Sequence, residues 1–150
     1  LMSNLTATSA HDMNTRSAPA SRADTVKNVS ELIGRTLLSV LFLLSGVGKI
    51  GAYAATAAYM SSVGVPSVLL PVVIATEVLG ALAIILGWHT RIAAFLLAGY
   101  SLLAALIFHA NFADQIEMIM FLKNVSIAGG FLLLVGNGAG RLSLDRRRAS

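Results

Sequence analysis

The stretch 121–131, FLKNVSIAGGF, places Lys123 and Asn124 inside a mainly apolar run that extends from residue 116 to residue 136. A helix over that run is about 31 Å long, close to the thickness of the hydrocarbon core of a bilayer. An ionisable group at this depth costs roughly 2.5–3.5 kcal/mol, so it normally faces a partner or a cavity instead of lipid. The stretch therefore predicts a membrane-spanning helix with a polar face turned towards other helices.

The composition places the rest of the chain in a membrane as well. The 150 residues are 56% hydrophobic and only 12% charged, whereas a soluble domain carries about 25% charged residues. The basic residues lie mainly in the two tails and form no continuous stripe, so we expect no nucleic-acid partner. The sequence has no cysteine, which excludes thiolate chemistry and c-type haem attachment. Any electrons must therefore be carried by a bound cofactor or a partner.

Three further segments have the length and apolar character of a membrane span. They are residues 32–50, 68–87 and 91–108. Between the first two, four residues recur at helical spacing: Tyr53, Thr56, Ala57 and Met60. This spacing predicts a short interfacial or re-entrant helix, either a connector or a lid over one end of the bundle. The predicted fold class is thus an all-α membrane protein, a bundle of four transmembrane helices with that short helix between spans one and two.

The predicted domain organisation has three parts. Residues 1–30 are rich in Ser, Thr, Ala and Asn without an apolar period, which is typical of a disordered tail. Residues 31–140 form the four-helix domain, and residues 141–150 form a basic C-terminal tail. Both tails and the turn at Trp88 carry Arg or Lys, whereas the other two connections are poor in them. The positive-inside rule then places both termini in the cytoplasm.

Glu77 lies near the middle of the second span, where a carboxylate is the most costly residue of the chain. Gly80 and Ala81 follow it at i+3 and i+4, so its face is also the face on which a neighbouring helix packs closely. We therefore expect Glu77 to point into the bundle.

The topology brings several polar groups into the outer half of the bundle. Lys49 and His109 end their spans there, and Lys123 lies roughly 10 Å into the fourth span from the same side. We predict that Glu77 pairs with Lys123, because each offsets the cost of burying the other. With Lys49, His109 and Asn124 nearby, the cluster has a positive surplus that suits a small anion or the carbonyl oxygens of a quinone.

Two further residues are predicted at the edge of this cluster. Arg35 lies at the cytoplasmic end of the first span, where its long stem can reach the interface, and Tyr100 lies near the middle of the third span. Lys49 also has the alternative role of an interfacial anchor. A polar core that only specifies helix packing remains an alternative to a binding site. We expect no metal site, because no further His or carboxylate accompanies His109 at helical spacing.

Several short motifs occur in a fixed order along the four spans. They are Arg35, SGVGK (45–49), Tyr59-Met60, Gly64-Val65-Pro66, Glu77, Gly87, Thr90-Arg91, His109, KNVSIAGG (123–130) and GAGRLSLD (138–145). Over residues 31–146 this order resembles the DoxX family of small bacterial four-helix inner-membrane proteins, especially its YphA-like members. The resemblance implies a bacterial inner-membrane location. It also maps six residues onto polar positions of the family: Arg35, Lys49, Glu77, His109, Lys123 and Asn124.

Members of the DoxX family are associated with membrane oxidoreductase systems, including thiosulfate:quinone oxidoreductase and a complex with a sulfurtransferase and superoxide dismutase. The resemblance implies an accessory subunit that binds a quinone or a small anion, has no covalent cofactor and is not an enzyme on its own. Its expected partners are the lipid bilayer and either a redox protein or a second copy of the chain. A small transporter or proton pathway, and a structural subunit without a ligand, are the alternatives.

Overall fold

The computed structural model describes residues 21–149, and every regular element in that part of the chain is helical. The helices are α1 (Arg22–Gly51), α2 (Tyr53–Ser62), α3 (Leu70–Leu86), α4 (Thr90–Phe108), α5 (Gln115–Asn137) and α6 (Leu144–Arg148). A 3-10 turn at Ser67–Leu69 leads into α3. Four helices in residues 21–149 are long and apolar enough to cross a membrane: α1, α3 with its leading turn, α4 and α5. This confirms the four-span class with a short helix between the first two spans.

The first helix begins earlier than its composition suggests. It starts at Arg22, within the segment 1–30 that was expected to be disordered. Ser21 and Asp24 form a reciprocal cap, in which the Asp24 N–H donates to Ser21 Oγ at 3.1 Å and the Ser21 N–H donates to Asp24 Oδ2 at 3.2 Å. Because this cap satisfies N–H groups that a helix end leaves open, it extends the helix into a polar sequence. The expectation for residues 1–20 lies outside the described residues.

The four long helices meet in a narrow core. α1 packs mainly against α3, α4 packs mainly against α5, and α3 also contacts α4. The rings of Phe42 and Phe131 meet edge to face with their centroids 5.4 Å apart. Ala94 and Ala98 are buried on α4, and such small residues let membrane helices approach closely.

Gly46 sets the contact between α1 and α3. A Cβ atom at this position would lie 2.6 Å from Val78 Cγ2 and 3.1 Å from Glu77 Cβ, so any larger residue would force Val78 or the helix to shift. This close approach carries the last turns of α1 alongside Glu77. The end of the bundle that holds Lys49 and His109 is called the Lys49 end below, and the opposite end is called the Arg35 end.

Residues 138–149 fold back on the Arg35 end, so the expected basic tail is a docked segment over the residues that the structure describes. The guanidinium group of Arg35 donates hydrogen bonds to the backbone carbonyls of Ala139 and Leu142. Arg35 is 3% exposed and does not reach the interface as its long stem suggested. The reason is that the two carbonyls lie within its reach and accept from its two terminal nitrogens inside the protein, although its Nε has no partner within residues 21–149.

The C-terminal segment also caps α4. The carboxylate of Asp145 accepts hydrogen bonds from the N–H groups of His89 at 2.7 Å and Thr90 at 2.9 Å. The Asp145 N–H in turn donates to the Gly87 carbonyl at 2.8 Å. Since His89 has a φ of +46° and no capping contact of its own side chain, Asp145 supplies the N-terminal cap of this helix from a distant part of the sequence.

Candidate ligand-binding cavity

A cavity of about 460 Å³ lies at the Lys49 end between the four long helices and α2. Most of its wall is apolar, including Phe42, Val73, Leu103 and Ile107. This size and character are typical of small-molecule sites, which combine a mainly apolar wall with a few polar groups. We call it the Lys49 cavity. All of the predicted site residues except Arg35 contribute to its lining: Lys49, Glu77, Tyr100, His109, Lys123 and Asn124.

Helix α2 forms one wall of the Lys49 cavity. Met60 is buried, and the ring of Tyr59 stacks on Phe108 with centroids 5.7 Å apart. Thr56, one turn earlier on α2, also lines the cavity. Of the two interpretations of this segment, the structure therefore favours a cover over one end of the bundle.

Glu77 is the centre of a hydrogen-bonded network inside the cavity, and it is only 2% exposed. The Lys49 ammonium donates to Glu77 Oε1 and Oε2, each at 2.9 Å. The hydroxyl groups of Tyr100 and Ser45 also donate to Oε1, at 2.6 Å and 3.2 Å. Four donor–acceptor contacts thus compensate for the burial of this carboxylate, and Glu77 points into the bundle as its spacing to Gly80 predicted.

The predicted pairing of Glu77 with Lys123 is wrong, because the partner of Glu77 is Lys49. Lys123 is exposed on the cavity wall, and its ammonium contacts Met120 Sδ at 3.2 Å. The reason lies in helix order: α1 packs directly on α3 at Gly46, whereas α5 packs mainly on α4. The last turn of α1 therefore lies closer to Glu77 than α5 does, and its lysine forms the ion pair.

The predicted positive surplus of the cluster is smaller than the sequence suggested. The imidazole Nδ1 of His109 lies 2.7 Å from Glu117 Oε2, and Lys49 is matched by Glu77. Lys123 is then the one cation of the cavity wall that contacts no carboxylate within residues 21–149. The Asn124 side chain donates to the Met120 carbonyl at 2.9 Å, which leaves its own carbonyl oxygen for other contacts. Within residues 21–149 no three His, Asp or Glu side chains cluster in a way that could hold a metal ion.

Sequence reasoning missed Ser45 as a member of the network and Glu117 as the partner of His109. Ser45 lies four residues before Lys49, one turn away on the same helix face, and this spacing was a usable signal. Glu117 lies in the first turn of α5, behind Asp114, whose carboxylate accepts from the N–H groups of Ile116 and Glu117, and its contact with His109 was not predicted. Tyr100 was expected at the edge of the cluster but donates directly to Glu77.

Comparison with known proteins agrees with this architecture. The DoxX family profile matches residues 30–110. The Escherichia coli K12 protein named inner membrane protein YqjF is 47% identical over 121 residues, which cover 81% of this chain and 93% of the relative. The protein named inner membrane protein YphA, from the same organism, is 42% identical over 123 residues, covering 77% and 88%. No solved structure matches significantly. On the matched length and these identities, the chain belongs to the DoxX family.

Proposed function

We propose that the chain binds a lipophilic molecule with hydrogen-bonding oxygens, of the quinone class, as an accessory subunit of a membrane redox system. The observation that carries this proposal is the polar network around Glu77 set in the apolar wall of the Lys49 cavity. The names of the two E. coli relatives support a bacterial inner membrane. The excess of Arg and Lys at the Arg35 end supports an orientation with both termini in the cytoplasm.

The two lysines of the cavity differ in their hydrogen-bond partners, and we infer different roles for them. The three N–H groups of Lys49 are taken up by Ser45 Oγ and the two oxygens of Glu77. Lys49 is therefore the fixed counter-charge of Glu77. Lys123 has only a thioether as a partner within residues 21–149, and a thioether sulfur is a weak acceptor. Lys123 is thus the group that offers donors to a ligand carbonyl, and the adjacent Asn124 offers its side-chain oxygen to a ligand donor.

The apolar wall favours a quinone over a small inorganic anion. A small oxyanion would contact Lys123 but leave Leu103, Ile107 and the other apolar side chains without a partner. A quinone ring with an apolar tail buries that surface as well, at roughly 25 cal/mol per Å² of apolar area removed from water. Its ring oxygens accept hydrogen bonds, and its reduced form also donates them, so both forms match the mixed donors and acceptors of the network.

Quinone-dependent stabilisation of the purified protein tests this proposal. We expect lipid extracts of the protein from native membranes to contain quinone, and added ubiquinone or menaquinone to raise the thermal unfolding midpoint in detergent. Lys123→Met should reduce this rise, whereas Lys27→Met, which removes the same charge at the Arg35 end, should keep it. Absence of quinone from the extract together with no thermal shift would refute the proposal.

A cavity-filling variant separates ligand binding from a purely structural role. Ala104 lines the cavity, and Ala75 lies on the exposed face of α3. Ala104→Phe should abolish the quinone-dependent shift while Ala75→Phe retains it. If Ala104→Phe leaves the shift unchanged, the quinone binds elsewhere. If it leaves the cellular phenotype of a deletion strain fully complemented, the alternative of an assembly subunit without a ligand is favoured.

A further inference from the structure

A second cavity, of about 540 Å³, lies at the Arg35 end between the first turns of α1 and the C-terminal segment. Its lining is polar, unlike that of the Lys49 cavity. It contains four cations, Lys27, Arg91, Arg141 and Arg146, and three carboxylates, Asp24, Glu31 and Asp145. We call it the arginine cavity. It takes no part in the function proposed above.

The three carboxylates of the arginine cavity are engaged by the protein. Asp145 accepts the N–H groups that begin α4, and Asp24 accepts the N–H and hydroxyl of Ser21. Glu31 forms a long ion pair with Lys27 at 3.9 Å. Asp24 also attracts the charge of Arg141, but within residues 21–149 no carboxylate forms an ion pair with Arg91 or Arg141.

Arg91 and Arg141 keep their hydrogen-bonding capacity. Neither guanidinium group donates a hydrogen bond to a residue within 21–149, although each carries five N–H donors. The two groups come from different elements, the first turn of α4 and the segment that follows α5. Two guanidinium groups at one cavity match the oxygens of a phosphate, because arginine binds phosphate with two parallel N–H donors.

The position of the cavity relative to the bilayer points to a lipid. Trp88, which is 48% exposed, lies three residues before Arg91, and exposed tryptophans are typical of the headgroup level of a membrane. At this level the phosphates of phospholipids are the most concentrated anions. Basic pockets at the ends of membrane helices bind anionic headgroups for this reason.

We propose that the arginine cavity binds the phosphate of an anionic phospholipid headgroup, held by Arg91 and Arg141. The four cations of the lining exceed its three carboxylates by one. That excess matches the single charge of a phosphodiester better than that of free phosphate, which at neutral pH is a mixture of singly and doubly charged ions. The carboxylates in the same lining repel additional negative charge, which favours the phosphodiester further.

Lipid titration of the full chain in a neutral detergent tests this site. Binding of phosphatidylglycerol is measured by native mass spectrometry, with phosphatidylcholine and inorganic phosphate as the other ligands. We expect phosphatidylglycerol to bind at least tenfold more tightly than phosphatidylcholine, and millimolar inorganic phosphate not to displace it. Equal binding of the two lipids would overturn the headgroup assignment. Displacement by phosphate would show that the free ion is the ligand and would overturn the lipid assignment.

Matched charge variants locate the site. Arg91→Gln with Arg141→Gln should weaken phosphatidylglycerol binding at least tenfold. The control, Arg22→Gln with Arg148→Gln, removes the same charge outside the cavity lining and should change binding less than twofold. Equal weakening in the control would show a diffuse surface effect and overturn the site. If the first variant does not fold, Arg91→Lys with Arg141→Lys keeps the charge but loses the bidentate guanidinium donors. Binding of phosphatidylglycerol as tight as that of the parent protein would then overturn the proposal.

Discussion

Replacing Lys49 with Met removes the ammonium group that neutralises Glu77. The Glu77 side chain is 3% exposed and the Lys49 side chain is 24% exposed, so only the lysine side of the pair reaches the protein surface. The variant leaves a buried carboxylate with two hydroxyl donors, Tyr100 and Ser45, and no counter-charge. Breaking a buried pair costs about 3–5 kcal/mol, and because Lys49 is partly exposed we expect the low end, about 3 kcal/mol of unfolding free energy.

The unfolding free energy is measured by titrating the protein from mild detergent into SDS and following the helical circular dichroism signal. Lys123→Met is the matched control, since it removes the same charge from the same cavity but breaks no carboxylate contact. We expect this control to cost less than about 1 kcal/mol. The double variant Lys49→Met with Glu77→Leu should recover most of the loss, because no unpaired charge remains.

Two results would refute the reasoning. The first is a cost of less than about 1 kcal/mol for Lys49→Met, which would mean that Glu77 is neutral or hydrated in the native protein. The second is a larger cost for Lys123→Met than for Lys49→Met, which would restore the pairing that the sequence first suggested. A double variant as unstable as Lys49→Met alone would show that the loss comes from packing instead of from charge.

Three further predictions concern single contacts and use the same unfolding assay. Tyr100→Phe removes the 2.6 Å donor to Glu77 and should cost about 1.5–3 kcal/mol; no measurable loss would contradict the contact. Gly87→Ala places a side chain at φ +68° against Ser143 and should cost about 1–3 kcal/mol, while Gly99→Ala, which has open space, is the tolerated control. Burial raises the pKa of Asp145, but the backbone N–H groups of Thr90 and His89 lower it more, so that its pKa lies below the usual value. The contribution of the Asp145 carboxylate to the free energy of unfolding is present above about pH 4 and is lost as the pH falls through the folded pKa. Asp145→Asn should remove this part of the pH dependence of stability.

The spans and the inward face of Glu77 could be predicted from the sequence because both depend on local spacing. The apolar runs end where charged or glycine-rich residues begin, and the predicted third and fourth spans differ from α4 and α5 by one residue at their ends. Gly80 and Ala81 mark the packing face of α3, and burial of Glu77 follows from it. Periodicity is sufficient for such features since they require no knowledge of which helices are neighbours.

The partner of Glu77 could not be predicted in this way. Counting residues along each span gives the depth of a side chain, and by depth alone Lys49 and Lys123 are both candidates. The choice depends on helix order, which Gly46 decides by allowing α1 to approach α3. The role of Asp145 was hidden for a similar reason: it caps a helix that begins 55 residues earlier in the chain, at Thr90. Composition assigned it to a basic tail because three arginines follow it.

The buried Arg35 and the partly buried Lys49 of α1 find their partners in different parts of the chain. Lys49 pairs with Glu77 on α3, the next span in sequence, so this contact needs only the first two spans. Arg35 depends on the carbonyls of Ala139 and Leu142, which follow the last span. An unpaired charge in the bilayer is costly, so the two carbonyls of the C-terminal segment offset the burial of Arg35. The hydrogen bonds of Arg35 and the lining of the arginine cavity therefore both depend on residues 138–149, because Ala139, Arg141 and Leu142 belong to that segment.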